Sequence, residues 1–272
     1  MRSAVIPFIV SAVCISGLLL LLNLGDRGGS DPGELMVYCA AVVMEPLEEI
    51  ARGFEDETGI GVQIQFGGSG TLLSNLEISG QGDFYIAADS SYTEIAVERG
   101  LVGDTLALCE IRPVIAVGQN NPLGIRGVGD LLGENVRLSL ANPDAASIGK
   151  TTKELLEGLG LWEEIHASIL RNGVFKPTVS GSATDVRLGN ADAAVVWDVT
   201  VNQYEKLDAV SLEGSENFIR HVTIGRLTSS ERDGELEAFL EYLVKPNRGI
   251  AIFRKHGFGE LPITGLADAH AH

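Results

Sequence analysis

The order of elements predicts an α/β chain of two domains, each a mostly parallel sheet flanked by helices. Three observations carry this. Val62-Gln63-Ile64-Gln65-Phe66 alternates in polarity, runs into Gly67-Gly68-Ser69-Gly70-Thr71, and is followed by Leu72, Leu73 and Leu76 at helical spacing, which spells strand, glycine turn, helix. The second half repeats the pattern: Val136 to Leu140, the turn Ala141 to Lys150, then Leu155, Leu156 and Leu159. A length of 272 residues exceeds the usual size of one core.

Leu35 to Ala40 reads as a buried strand, Ala41-Val42 as a turn, and Val43, Leu47, Ile50 and Phe54 as the apolar stripe of a helix whose first turn tolerates Pro46. Asp83 to Ala88 is a third strand, leading through Asp89-Ser90 into a helix that Gly100 terminates. Strands alternating with helices imply parallel crossovers, and ligands of such sheets sit beyond the carboxyl ends of the strands. Ile111 to Val117 is a strand interrupted early by Pro113, and the first crossing between domains falls there. Asp130-Leu131-Leu132 starts a short helical turn. Phe175 to Val179 is a strand, Ser180 to Thr184 a polar turn, Asp185 to Leu188 a short helix and Ala193 to Trp197 a buried strand. The chain returns through Val222-Thr223-Ile224, and helices follow at Leu236 to Leu243 and Ile250 to Lys255. The division is 34–111 with 223–266 for the first lobe, 112–222 for the second and 267–272 for a flexible tail.

Ala4 to Leu24 is an almost unbroken apolar run behind Arg2, and Gly28 to Gly33 has linker composition, so residues 1–33 read as an export signal or an N-terminal membrane anchor. Either places the following domains outside the cytoplasmic membrane. The net charge of −17 argues against a nucleic-acid partner, which needs basic surface. It does not exclude a small anion, because amide dipoles act locally while surface charge is screened beyond about 10 Å. Cys39 and Cys109 lie in apolar strand-like runs and are either bridged or two buried thiols.

The chemistry resides in the turns. Three glycines in four positions let the backbone approach a ligand closely, and the first N–H groups of a helix have no intrahelical acceptor. With the helix dipole behind them they favour an anion.

Phe66 to Leu72, Gly82-Asp83-Phe84-Tyr85-Ile86-Ala87-Ala88-Asp89, Ala141-Asn142-Pro143-Asp144 with Gly149, Thr184-Asp185-Val186-Arg187 and Phe253-Arg254-Lys255-His256-Gly257-Phe258 resemble the extracytoplasmic molybdate-binding proteins of ABC importers. The likeness runs in register from about Leu35 to Phe258. It implies a two-lobe periplasmic-binding-protein fold that closes on molybdate or tungstate and delivers it to an ABC permease as a monomer, without enzymatic activity or cofactor. The oxyanion contacts it implies fall at Val42, Gly70, the Ile148 and Val186 amides and Trp197, with Ala41, Gly68, Ser69 and Ser147 in the same turns; the metal centre of the oxyanion is reached only through such donors. Val42 and Gly70 stand where the family has serines, and Trp197 where it has tyrosine. Two hydroxyl donors are thereby lost, each worth about 1.5–3 kcal/mol toward a charged group.

Molybdate is fully deprotonated at neutral pH and wants donors only, which suits the indole N–H of Trp197. Phosphate keeps a proton and wants an acceptor, so Asp198, if it faces the cleft, favours phosphate or another small anion. A reading of a different class is an exported serine hydrolase: Gly67 to Thr71 nearly spells a nucleophile elbow around Ser69, with His166, His221 or His256 as base. Gly149-Lys150-Thr151-Thr152 resembles the end of a phosphate loop, but Asp144 occupies the position of its first glycine. Asp268 to His272 offers two histidines for weak chelation, though a flexible terminus accounts for it as well.

Overall fold

The computed structural model describes residues 33–259. The signal or anchor expected over 1–33, the tail chelation and the end of the first lobe lie wholly or largely outside them. Strand β1 (Leu35–Ala40) passes through a 3-10 turn (Ala41–Val43) into α1 (Met44–Thr58); β2 (Val62–Gly67) leads to α2 (Ser69–Ser79), and β3 (Phe84–Ala87) to α3 (Ser90–Glu98). The two long strands β4 (Val102–Ile111) and β5 (Pro113–Gly118) follow. Beyond a 3-10 turn (Val128–Leu132) come β6 (Ser139–Ala141), α4 (Ser147–Gly158), α5 (Trp162–Asn172), β7 (Val174–Lys176), α6 (Val179–Arg187), β8 (Ala193–Trp197), α7 (Asp198–Gln203) and β9 (Leu207–Val210). The chain closes with β10 (Arg220–Leu227), α8 (Asp233–Val244) and α9 (Gly249–Lys255).

The first lobe is a five-stranded sheet ordered β2-β1-β3-β10-β4, in which β1 is parallel to β2 and β3 while β10 runs antiparallel to β3 and β4. In the second lobe β5 lies antiparallel between β8 and β9; β6 and β7 pair in parallel, and a bridge from Leu138 to Ala193 ties the two groups. Parallel pairing therefore holds for the strand–turn–helix units, and the strands entering or leaving the crossings are the antiparallel ones. The chain leaves the first sheet after Ile111 and re-enters it at Arg220, three residues before the expected Thr223 position. The run expected as one strand across Pro113 is two strands on two sheets, because proline has no N–H to donate and sits as the first residue of β5.

The core follows the sequence periodicity. Leu47, Ile50 and Phe54 of α1 are fully buried, and Gly59 ends the helix in the left-handed region at φ 74°. Phe54 meets Phe239 of α8 edge-on at 5.2 Å, and Phe239 also lies 5.4 Å from Phe84 on β3, so the chain's last helices complete the first lobe. Cys39 on β1 and Cys109 on β4 are free, buried thiols. Three strand spacings separate their strands, about 14 Å, which no disulfide spans. Burial raises the pKa of both thiols. Among the described residues no helix is long and apolar enough to cross a membrane.

Candidate functional site

The carboxyl ends of the strands from both lobes meet at one gap. It is lined by Ala40, Ala41, Val42, Gly67, Gly68, Ser69 and Ala88 from the first lobe and Ala146, Ser147, Ile148, Val179 and Trp197 from the second, enclosing about 220 Å³ of space counted out to its mouth. None of the lining residues is charged.

Helix starts face this gap from both sides. On α2, the Leu72 amide donates to Gly68 O at 2.9 Å, the first bond of the helix, so the residues ahead of it have no acceptor within the helix. The hydroxyl of Ser69, 1% exposed, accepts from the Ala88 amide at 3.2 Å, which leaves its own proton to donate. The Tyr85 hydroxyl fixes the same turn by donating to Ser69 O at 2.7 Å. On the opposite side Asn142 shapes the approach to α4: its side chain accepts from the Asp144 amide at 2.9 Å and its carbonyl from the Ala146 amide at 3.0 Å. The first bond of α4 runs from Lys150 N to Ala146 O, so the amides of Ser147 and Ile148 precede it. Gly149 is required there, because a Cβ would lie 2.5 Å from Ala141 O. The third start is α6, capped by Thr178, whose hydroxyl accepts from the Gly181 amide at 3.2 Å.

Trp197 ends β8 at the floor of the gap. Four buried side-chain polar atoms among the described residues have no hydrogen-bond partner: Thr151 Oγ1, Ser182 Oγ, Thr200 Oγ1 and the indole nitrogen of Trp197. Of these residues only Trp197 lines the gap, and it is 0% exposed. A buried donor left unpaired costs about 1–3 kcal/mol, which an acceptor brought in by a ligand removes.

The lobes touch around this site. The Thr71 amide donates to Ala145 O at 3.2 Å, and Gln203 Nε2 donates to Val42 O at 3.0 Å. Gly68 and Gly70 make the approach possible: a Cβ on Gly68 would lie 2.2 Å from Ala145 O and 2.8 Å from Pro177 O, and one on Gly70 2.7 Å from Asp144 O. Lys150 reaches across the mouth to Ser91 Oγ at 2.9 Å.

Of the residues expected at the site, Ala41, Val42, Gly68, Ser69, Ser147, Ile148 and Trp197 are brought together, whereas Gly70 and Val186 do not line the gap. Gly70 faces the second lobe's Asp144 carbonyl, and the adjoining Ser69 takes its place. Val186 sits near the end of α6, seven residues or about 10 Å from the helix start, where its amide is engaged inside the helix. The polar run Ser180 to Thr184, expected as a turn, is helical, so Val179 is the residue presented at the N-terminus. The capping threonine at 178 was the available signal. Val179 and Ala88, whose amide holds Ser69, were not anticipated.

Asp198 does not line the gap. Its carboxylate accepts from the Arg112 and Val199 amides at 3.3 and 2.9 Å and pairs with the Arg112 guanidinium at 3.5 Å. Burial pushes its pKa up, against the opposing pull of these donors. The histidines considered as bases for Ser69 are engaged elsewhere: His221 with Glu110, His256 with Glu45 and Glu49, and His166 between the rings of Trp162 and Phe175. Among the described residues there is no cluster of three metal-ligating side chains.

Residues 35–259 match the sequence profile described as bacterial extracellular solute-binding protein. A putative binding protein of Haemophilus influenzae is 27% identical over 230 residues, covering 83% of this chain and 90% of the relative. A molybdate-binding protein of Escherichia coli is 23% identical over 254 residues, 89% of this chain and 95% of the relative. The periplasmic molybdate-binding protein of Azotobacter vinelandii superposes with a TM-score of 0.70 at 22% identity, covering 84% of this chain and 99% of that one, which shows the same two-lobe fold. The chain is a binding protein rather than an enzyme, and it belongs to the bacterial extracellular solute-binding protein family.

Proposed function

We propose that this protein captures a fully deprotonated tetrahedral oxyanion, molybdate or tungstate, between its lobes outside the cytoplasmic membrane and delivers it to an ABC permease. The observation that carries this reading is the chemistry of the lining: helix N-termini from both lobes, the Ser69 hydroxyl and an unpaired buried indole N–H, with no carboxylate among them. Such a site offers donors to an ion that needs only donors. Several oriented amides in a water-poor gap stabilise a dianion without a full countercharge. The names of the Escherichia coli and Azotobacter vinelandii relatives point the same way. The ligand itself completes the contact between lobes, so binding favours the closed arrangement, and a permease that recognises that arrangement reads occupancy. No cofactor enters this reading.

Phosphate is the competing ligand, and the engagement of Asp198 with Arg112 and the α7 start removes the acceptor it would need. Titration calorimetry with molybdate, tungstate, sulfate and phosphate tests the choice. Micromolar or tighter binding of molybdate or tungstate, undisturbed by phosphate and retained in Asp198→Asn, is expected. Phosphate binding that disappears in Asp198→Asn overturns the reading.

A further inference from the structure

Helix α4 donates to the gap with its first turn, and the face of its second turn makes a separate set of contacts outside the gap. Lys150 and Glu154 are four residues apart and share that face. Lys150 Nζ bonds Ser91 Oγ and stands 5.3 Å over the Tyr92 ring, both on α3 of the first lobe. Glu154 Oε2 accepts from Arg220 Nη2 at 2.9 Å, while Arg220 Nε donates to Asp89 Oδ2 at 3.0 Å. Asp89 is itself fixed, 3% exposed and capping α3 through the Ser91 amide at 2.9 Å. Two adjacent donors of one guanidinium, Nε and Nη2, thus address the two lobes, with its plane backed by the Phe218 ring at 5.3 Å.

We propose that Arg220 is a positioning residue for anion capture, which clasps Glu154 of α4 to Asp89 of the first lobe and thereby holds the anion-facing end of α4 in its closed place. The anion's identity rests on the function proposed above; the clasp does not. Arg220 begins β10, where the chain re-enters the first lobe, so its bond to Asp89 lies within that lobe and persists when the lobes part. The bond to Glu154 is the half that exists only on closure. Neither side chain lines the gap, so losing this contact changes the lifetime of the closed complex and leaves the first encounter with the anion unchanged. Because Glu154 is 41% exposed at its side chain, the contact is also screened by salt.

The test is Glu154→Gln, which removes the charge of an exposed residue, with Glu154→Lys as the like-charge variant. Arg220 is left intact, since its removal strands the buried Asp89 carboxylate and endangers the fold. Stopped-flow tryptophan fluorescence with molybdate reads association and release separately. Release about three- to tenfold faster in Glu154→Gln is expected, with an unchanged association rate and a weaker salt dependence of release than wild type. Glu154→Lys releases faster still, and Glu154→Asp recovers part of the loss. Wild-type release rates with wild-type salt dependence in Glu154→Gln overturn the proposal. If wild type binds no oxyanion, the proposed function falls and the clasp is judged by X-ray scattering alone. A larger ligand-free radius of gyration for Glu154→Lys than for wild type then supports the clasp, and equal radii at low salt sink it.

Discussion

The amide of Thr71, on the first turn of α2, donates to the carbonyl of Ala145 in the opposite lobe at 3.2 Å, although the two residues lie far apart in the chain. This bond brings the two glycine- and alanine-rich turns within reach of one small ion and makes their backbone, rather than any charged side chain, the material of the site. Its neighbours Gly68 and Gly70 have no room for a Cβ against the carbonyls of Ala145, Pro177 and Asp144.

Gly68→Ala is therefore expected to block closure while sparing each lobe, because the three atoms nearest its Cβ all belong to the other lobe. Overpacking of about 1–3 kcal/mol corresponds to roughly five- to hundredfold weaker anion binding. Calorimetry gives the affinity, and X-ray scattering checks that ligand no longer contracts the molecule. Unchanged affinity with normal contraction refutes the steric account.

Trp197→Phe keeps an aromatic floor and removes the unpaired N–H. A hydrogen bond to a charged acceptor is worth about 1.5–3 kcal/mol, so molybdate affinity should fall roughly ten- to hundredfold. The ligand-free protein loses an unsatisfied buried donor and should melt no lower than wild type. Equal affinity in the two proteins would remove the indole from the site.

Ser69→Ala carries two consequences, since the hydroxyl both lines the gap and accepts from the Ala88 amide. Anion affinity and thermal stability should both fall, the latter by about 1–3 kcal/mol for the amide left unpaired. An ester-hydrolysis activity present in wild type and abolished in this variant would instead favour the hydrolase reading.

Acid stability should depend on Asp192. The Arg137 side chain, which donates from Nε and Nη2 at 3.0 and 2.7 Å, holds its carboxyl below the usual carboxylate range. A group with a depressed folded-state pKa contributes stability above its unfolded pKa, about 4, and loses that contribution as pH falls through the folded value. Melting curves should show Asp192→Asn less stable than wild type at pH 6, with the gap narrowing below about pH 4. A difference that does not vary with pH would mean that the amide breaks packing rather than a charged contact.

Both thiols should resist alkylating reagents in the native protein and react once it is unfolded, because burial disfavours the thiolate that attacks. Mass spectrometry after labelling with and without denaturant distinguishes this from a bridged pair, which stays unlabelled in both.

Local sequence was sufficient for units whose periodicity and end signals agree. The stripe Leu47, Ile50, Phe54 with Gly59 behind it gives α1, and the alternation of Val62 to Phe66 followed by glycines gives β2 and the start of α2. The second lobe's site was less legible. The serine, glycine and threonine of 180–184 read locally as a turn, yet Thr178 caps a helix there that packs on β6 and β8, and the start of the site shifts from Val186 to Val179. Strand β4 carries Gly103 and Asp104, poor strand formers, at the irregularity between the Val102–Leu227 and Thr105–Gly225 pairs, where its register with β10 shifts.

Sequence by itself determined the strand–turn–helix order and the glycine turns, because these follow from side-chain periodicity and from backbone freedom at particular positions. Tertiary structure alone decided that Ser69, Ile148, Val179 and Trp197 share one gap, that Cys39 and Cys109 stand three strands apart, and that Asp198 faces Arg112 instead of a ligand. Those are distances between residues far apart in the chain, fixed by which sheet each strand joins and by how closely glycine lets the two lobes approach.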